Sequence, residues 1–178
     1  MEKIIAKPLK VVVTGPESTG KTVLCAALAE HFGTNYVPEY AREYLQLKGT
    51  NYVEGDLLNI AKGQIQLENK FSQQNNQQLL ICDTSLEVIK VWSEWKYRHC
   101  HPFIIDQLLQ RPPHLYLLLT PDLPWQPDPL RENPHDRADL FAYYQQSFTE
   151  HGIKVVEIYG DGRARIDMAI NAIDKIIK

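Results

Sequence analysis

Gly15-Pro16-Glu17-Ser18-Thr19-Gly20-Lys21-Thr22 (GPESTGKT) meets every fixed position of the phosphate-binding pattern G-x-x-x-x-G-K-[ST]. The residues before it, Leu9 to Thr14 (LKVVVT), are a β-branched run that predicts a buried strand. The residues after it, Thr22 to His31, place Leu24, Ala27, Leu28 and His31 at helical spacing. Strand, glycine-rich loop and helix are the setting in which this motif has a mechanism. Loop N–H groups and the first helical turn hold phosphate oxygens. Gly15, Glu17, Ser18, Thr19, Gly20, Lys21, Thr22 and Val23 are the expected nucleotide-binding residues. Lys21 would reach the β- and γ-phosphates, and the Thr22 hydroxyl would ligate Mg²⁺. The cofactors expected from this stretch are ATP and Mg²⁺.

Outward from the loop, strand and helix patterns alternate. Asn35 to Pro38 reads as a short second strand and Tyr40 to Lys48 as a helix. Tyr52 to Asn76 predicts a long helix, with Val53, Leu57, Ile60, Gln64, Leu67 and Phe71 alternating at spacings of four and three. Its Gln/Asn-rich tail, Ser72 to Gln78, reads as a solvated exit. Leu79 to Cys82 is an apolar strand ending at Asp83, and Leu86 to His99 is helical, as is Pro102 to Gln110. Leu115 to Leu119 is a fourth strand, and the proline-rich stretch Pro121 to Pro134 an irregular loop. Asp136 to His151 is again helical, Lys154 to Tyr159 is a fifth strand, and Ile166, Ala169, Ile170, Ile173 and Ile177 line a terminal helix. This alternation predicts an α/β protein with a P-loop NTPase fold: a parallel five-stranded sheet flanked by helices, nucleoside-kinase-like and carrying a lid. The whole chain, residues 1–178, reads as one domain.

Bulk properties narrow the class. A net charge of −3 argues against nucleic acid or an anionic membrane as the main partner. No segment approaches the length of a membrane span, and the N-terminus has no secretory apolar region. Cys25, Cys82 and Cys100 are few and widely spaced, which suits a reducing cytoplasm. His99-Cys100-His101 reads as a helix end running into a loop rather than a metal clamp, with Pro102 next. The sequence leaves a homo-oligomer open.

In open α/β sheets ligands bind along the carboxyl edge. Asp83, at the end of an apolar strand, would sit near Lys21 and Thr22. There it would hold Mg²⁺ through water or take a proton from an attacking hydroxyl. Thr84 and Ser85 are alternative caps of the following helix. Glu39 follows strand two, where it would bind or deprotonate an acceptor hydroxyl, and Arg42 lies one helical turn on. The other reading of Glu39 and Arg42 is a surface pair at i, i+3. In the Leu123 to Arg137 loop, Arg131 and Arg137 are candidates to close over the phosphates and exclude water, with Arg131 ahead. Gly160-Asp161-Gly162-Arg163 would admit adenine or simply form a turn. Tyr40 and Trp92 are candidate substrate contacts, and Trp95 and Tyr97 could also stack, although an aromatic stripe also suits a core.

GPESTGKT, then PEYAREY, then an apolar strand ending Asp-Thr, then a Pro-Trp…Asp…Leu-Arg segment together resemble the ribosylnicotinamide kinase module of NadR proteins. The resemblance spans roughly Leu9 to the C-terminus. It implies transfer of the ATP γ-phosphate to the 5′-hydroxyl of nicotinamide riboside, giving nicotinamide mononucleotide. It also implies roles for Lys21 and Thr22 on phosphate and metal, Asp83 on metal or as base, Glu39 on the acceptor and Arg131 in the lid. With about eight residues before strand one, the chain is expected to lack the upstream adenylyltransferase domain that many members carry. Three positions depart from the family pattern. Asp83-Thr84-Ser85 stands where Asp-Thr-Asp is common, and Pro38 and Leu67 stand where aromatics are common. The alternatives are a kinase of another nucleoside or nucleotide, and an ATPase or nucleotide switch acting through a partner. No guanine-reading N-K-x-D segment is present.

Overall fold

A computed structural model describes residues 7–49, 51–74 and 78–177. The elements run β1 (Leu9–Thr14), α1 (Lys21–Phe32), β2 (Tyr36–Val37), α2 (Tyr40–Lys48), α3 (Glu54–Gln73), β3 (Leu79–Asp83), α4 (Leu86–Tyr97), α5 (Pro102–Gln110), β4 (Leu115–Leu119), α6 (Arg137–Glu150), β5 (Val155–Ile158) and α7 (Gly162–Ile177). The sheet is five-stranded and wholly parallel, in the order β2-β3-β1-β4-β5. The strand apolarity explains this order. β1, β3 and β4 hold the centre, and Val11, Val12, Ile81, Cys82, Leu117 and Leu118 are wholly buried there.

Alternation along the strands sends side chains to two cores. Val11, Val13, Ile81 and Leu117 meet Leu24 and Leu28 of α1 and Ala169 and Ile173 of α7. Val12, Cys82, Tyr116 and Leu118 meet Val91 of α4 and Tyr144 and Phe148 of α6. A third cluster joins α2, α3, α4 and α5 through Ala41, Leu57, Ile60, Ile89 and Ile104.

Element boundaries follow the expectation with local corrections. On α1 the buried face is Leu24, Cys25, Leu28 and Ala29, and His31 is exposed. α3 starts at Glu54 because Val53 is extended and its N–H is capped by Asp56 Oδ2 at 2.8 Å. Val53 is therefore exposed rather than part of the apolar face. The expected last residues of that helix, Asn75 and Asn76, lie outside the described residues. α4 stops at Tyr97 because Arg98 turns left-handed, at φ 66°. His99 then pairs with Glu54 at 3.0 Å, and the His101 ring accepts the Phe103 N–H as the cap of α5. Pro102 at the start of α5 suits a position whose N–H has no helical partner. Ile177, at the end of α7, is exposed rather than packed.

Candidate active site

The phosphate loop joins β1 to α1, and its backbone is shaped for the turn. Gly15 has φ 133°, and a Cβ there would lie 2.7 Å from the Leu119 carbonyl oxygen of neighbouring β4. Ser18 also lies in the left-handed region, at φ 57°. The Thr19 hydroxyl donates back to the Pro16 carbonyl at 2.8 Å and stiffens the loop. Lys21 folds over the loop, its Nζ donating to the Gly15 and Pro16 carbonyls at 2.9 and 2.8 Å. Val23 is 74% exposed on the first turn of α1, at the rim of the adjoining cavity.

Adjacent parallel pairing of β1 and β3 sets Val13 opposite Asp83 and brings that carboxylate to the loop. The Thr22 hydroxyl donates to Asp83 Oδ2 at 2.6 Å. Asp83 is buried, and its Oδ1 has no hydrogen-bond partner among the described residues. Burial raises the Asp83 pKa, offset in part by the Thr22 hydrogen bond and the Lys21 charge. A hydroxyl and an unsatisfied carboxylate oxygen are hard oxygen donors, so this pair fits Mg²⁺, which binds through few protein ligands together with phosphate and water. Among the described residues no group of three or more His, Cys, Asp or Glu forms a metal cluster.

Glu39 lies at the N-cap of α2, half-buried beside the cavity. Burial raises its pKa; Lys21 and Arg42 pull it down and Asp83 pushes it up. The structure thus brings Lys21, Thr22, Glu39 and Asp83 to one place. Arg42 is exposed, lines the same cavity and pairs with Asp128 of the β4–α6 segment at 3.1 Å. Tyr40 is elsewhere: its ring lies flat on Gly63 of α3, and it packs in the third core cluster instead of lining the cavity. Trp92 does line the cavity, edge-on to Tyr52 at 4.8 Å between centroids, with its indole N–H donating to the Tyr52 hydroxyl at 2.8 Å.

The β4–α6 segment lies across the phosphate loop. Glu17 accepts the N–H groups of Glu132 and Asn133 at 3.1 and 2.9 Å. Ser18 Oγ accepts the Gln126 N–H at 2.8 Å. Arg131 donates to the Gln126 carbonyl and, at 3.4 Å, to Ser18 Oγ. Arg137 donates to the Leu123 and Ser18 carbonyls at 2.9 and 3.3 Å. The two guanidinium groups lie 5.9 and 5.8 Å from the Trp125 ring centre. The hydrogen-bond acceptors of both guanidinium groups among the described residues are neutral, and Asp128 adds a charge interaction with Arg131.

Arg165 was not foreseen. It is 4% exposed on α7 and donates to the carbonyls of Gly160, Thr120 and Thr19 and to the Asp122 carboxylate. Asp122 also accepts the Gly160 N–H at 2.7 Å. Its burial opposes ionisation, but these partners outweigh that and hold its pKa below the ordinary value. Arg165 thereby fastens the β5–α7 turn and the start of the β4–α6 segment to the phosphate loop. Arg163, in the Gly160–Arg163 turn, pairs with Asp167 at 2.7 Å in solvent. The cavity enclosed by these elements measures about 460 Å³. It is lined by the phosphate loop, Glu39 and a wall that includes Leu45, Val88, Trp92 and Trp95.

A parallel sheet with a phosphate loop after β1 and an acid at the end of β3 defines a P-loop nucleotide-binding protein. A family described as an AAA domain matches residues 10–165, and the chain belongs to that family. Comparison with curated proteins found no match. Among solved structures, NadR in complex with nicotinamide riboside (NR) superposes with a TM-score of 0.86 at 22% identity, covering 96% of this chain and 51% of that one. NadR in complex with NAD and AMP-PNP gives 0.83 at 22% identity, covering 96% and 50%. The thymidylate kinase of Candida albicans gives 0.63 at 17% identity, covering 96% and 91%. The chain therefore spans about half the length of the NadR chains it matches. It has the fold of P-loop nucleoside and nucleotide kinases. Among the described residues no helix is long and apolar enough to cross a membrane.

Proposed function

We propose that this protein is a kinase that uses ATP and Mg²⁺ to phosphorylate the hydroxyl of a small nucleoside-like alcohol, with nicotinamide riboside as the acceptor. The observation that carries this reading is one cavity lined by three things together: the phosphate-binding loop, Glu39, and an aromatic and aliphatic wall. A nucleotide switch needs the first part alone. A phosphoryl transferase needs all three.

The loop amides and Lys21 hold the triphosphate, with Lys21 exchanging its two carbonyl partners for phosphate oxygens. Mg²⁺, held by Thr22 and Asp83, neutralises charge on the β- and γ-phosphates when bound. Glu39 accepts the acceptor hydroxyl proton, and a raised pKa makes it a stronger base than a solvated carboxylate. Arg131 and Arg137 turn from carbonyls onto the transferring group. The β4–α6 segment acts as the lid and keeps water out.

The same groups select among acceptors. A nucleoside monophosphate would bring a second dianion to a wall that holds Glu39, while Arg42 is committed to Asp128. This favours an uncharged or cationic nucleoside over a nucleotide. NadR, the fold neighbour, has been crystallised with nicotinamide riboside. Trp92 and Trp95 line the cavity and are the aromatic groups on which a pyridinium ring would stack. The free thiols of Cys25, Cys82 and Cys100 suit a cytoplasmic setting.

The test is ADP release from ATP and Mg²⁺ with nicotinamide riboside, deoxyadenosine, thymidine and thymidine monophosphate offered separately. Stimulation by nicotinamide riboside with nicotinamide mononucleotide as product is the expected result. Stimulation by thymidine monophosphate alone would overturn the acceptor class. Slow hydrolysis indifferent to all four would overturn the proposed activity on this panel.

A further inference from the structure

Glu132 faces two ways. Its backbone N–H donates to both carboxylate oxygens of Glu17 at 3.1 Å, which fixes its main chain on the phosphate loop. Its side chain reaches the far wall of the cavity. Oε2 accepts the Tyr52 hydroxyl at 2.7 Å, and Lys96 Nζ lies 3.2 Å from Oε1. The Tyr52 oxygen in turn accepts the Trp92 indole N–H at 2.8 Å and Lys96 Nζ at 2.5 Å. Lys96 Nζ also sits 4.0 Å from the centre of the Tyr52 ring. A line of direct contacts thus runs Glu17, Glu132, Tyr52, Trp92, from the phosphate loop to the wall proposed to hold the acceptor.

The chemistry of this cluster points to position rather than stability. The Glu132 and Lys96 side chains are 41% and 38% exposed, and ion pairs so exposed add little to folding. Glu132, Tyr52, Trp92 and Lys96 nevertheless come from three separate places: the lid, the α2–α3 connection and α4. Arg131, next in the chain, donates to the Gln126 carbonyl and Ser18 Oγ, both neutral acceptors. A triphosphate offers it a stronger, charge-assisted partner. Arg131 and the Glu17 carboxylate both act on the lid backbone at Glu132. A phosphate that draws in Arg131 therefore bears on the Glu132 carboxylate and, through it, on the Tyr52 hydroxyl and the indole.

We propose that Glu132 is a positioning residue that couples nucleotide binding at the phosphate loop to the orientation of Trp92, so that nucleotide and acceptor bind cooperatively; this rests on the kinase reading above. The differential contact that any such shift requires is the exchange of carbonyl for phosphate at Arg131. By reciprocity, an acceptor that seats Trp92 tightens nucleotide by the same factor.

The indole N–H resonances of Trp92, Trp95 and Trp125 in the full ¹⁵N-labelled chain test this, titrated with AMP-PNP and Mg²⁺. Trp125, between Arg131 and Arg137, reports nucleotide arriving under the lid. In the wild type both the Trp125 and Trp92 signals shift. In Glu132→Ala and in Tyr52→Phe the Trp125 shift persists and the Trp92 shift is lost. Glu132→Gln retains an acceptor for the Tyr52 hydroxyl and keeps the Trp92 shift. A Trp92 shift that survives in Glu132→Ala overturns the coupling, as does a wild-type Trp92 that stays still while Trp125 moves. A wild-type protein in which no resonance moves overturns nucleotide binding itself, and the coupling with it.

Discussion

The Thr22 hydroxyl donates to Asp83 Oδ2 at 2.6 Å while Asp83 Oδ1 is buried without a hydrogen-bond partner among the described residues. A buried carboxylate oxygen without a hydrogen bond costs about 1–3 kcal/mol or more unless something satisfies it. A hydrated divalent cation would do so, and the neighbouring hydroxyl is the complementary ligand. Asp83→Asn keeps the size of the side chain and the Thr22 contact but removes the charge. The expected result is a loss of turnover of about 10²-fold or more with folding retained, because the change acts on transition-state charge. Turnover against Mg²⁺ concentration checks it. A variant with wild-type turnover and Mg²⁺ dependence would show that the ion is held elsewhere.

Glu39 and Asp83 are both acids beside the phosphate loop, and both have raised pKa values from burial. If Glu39 is the base, it works only when ionised. Its raised pKa then moves the acid limb of the rate profile upward: activity falls as pH falls through a value above the ordinary carboxylate range. Glu39→Gln is expected to lower kcat by about 10²- to 10⁴-fold and to abolish that limb. The pH dependence of kcat in both proteins decides the matter. A limb that survives in Glu39→Gln assigns the base to Asp83.

Much of the phosphate end was legible because its determinants are local. A loop of fixed spacing between a β-branched strand and a helix leaves Lys21 and Thr22 few places to go. An acid closing an apolar strand is carried to that loop by strand pairing. Arg165 was not legible in the same way. Its partners Thr19, Thr120, Asp122 and Gly160 belong to three loops that meet only once β1, β4 and β5 lie side by side. A signal existed, since Arg165 falls on the stripe of α7 that also buries Ala169, Ala172 and Ile173. An arginine on an apolar stripe demands buried partners. The lid's attachment through Glu17 was likewise hidden, because its donors are backbone amides that carry no side-chain signature.

Tyr40 illustrates a signal that was present and unread. Its place after Glu39 suggested a substrate contact, yet Gly63, inside the long helix α3, marked where the ring would go. Glycine in a helix interior is unfavourable by about 1 kcal/mol against alanine and signals close packing. A Cβ on Gly63 would sit 1.9 Å from the Tyr40 ring, in a cluster that joins α2 to α3. Gly63→Ala is expected to destabilise by about 1–3 kcal/mol despite its better helix propensity. Urea midpoints measure it. A stabilised variant would show that Tyr40 is free to leave this position, and would restore it as a candidate for the acceptor.

Ser85 lies in a buried polar network that already holds two carboxyl groups. Its hydroxyl donates to Glu68 at 2.6 Å, Lys10 bridges to Glu68 at 2.7 Å, and the Ser85 N–H donates to Glu87 Oε1 at 3.2 Å. Glu87 is 4% exposed; among the described residues neither its Oε2 nor the buried Thr14 hydroxyl meets strict hydrogen-bond geometry, yet the hydroxyl lies close enough to oppose the rise of the Glu87 pKa. Burial pushes the Glu87 carboxyl up to about 7 from an ordinary 4.5. Between those values the unfolded chain releases the proton and the folded chain keeps it, so stability falls as pH rises through the window and stays low above it. Glu87→Gln keeps the Ser85 contact, gains an amide donor for Thr14 and has no proton to lose. Its stability is expected to match the wild type near about pH 4.5 and to exceed it above about pH 7, by at most about 3 kcal/mol. Urea unfolding of both proteins across this range gives the comparison. Parallel pH profiles would mean that Glu87 ionises normally in the fold, with Lys10 or water satisfying it.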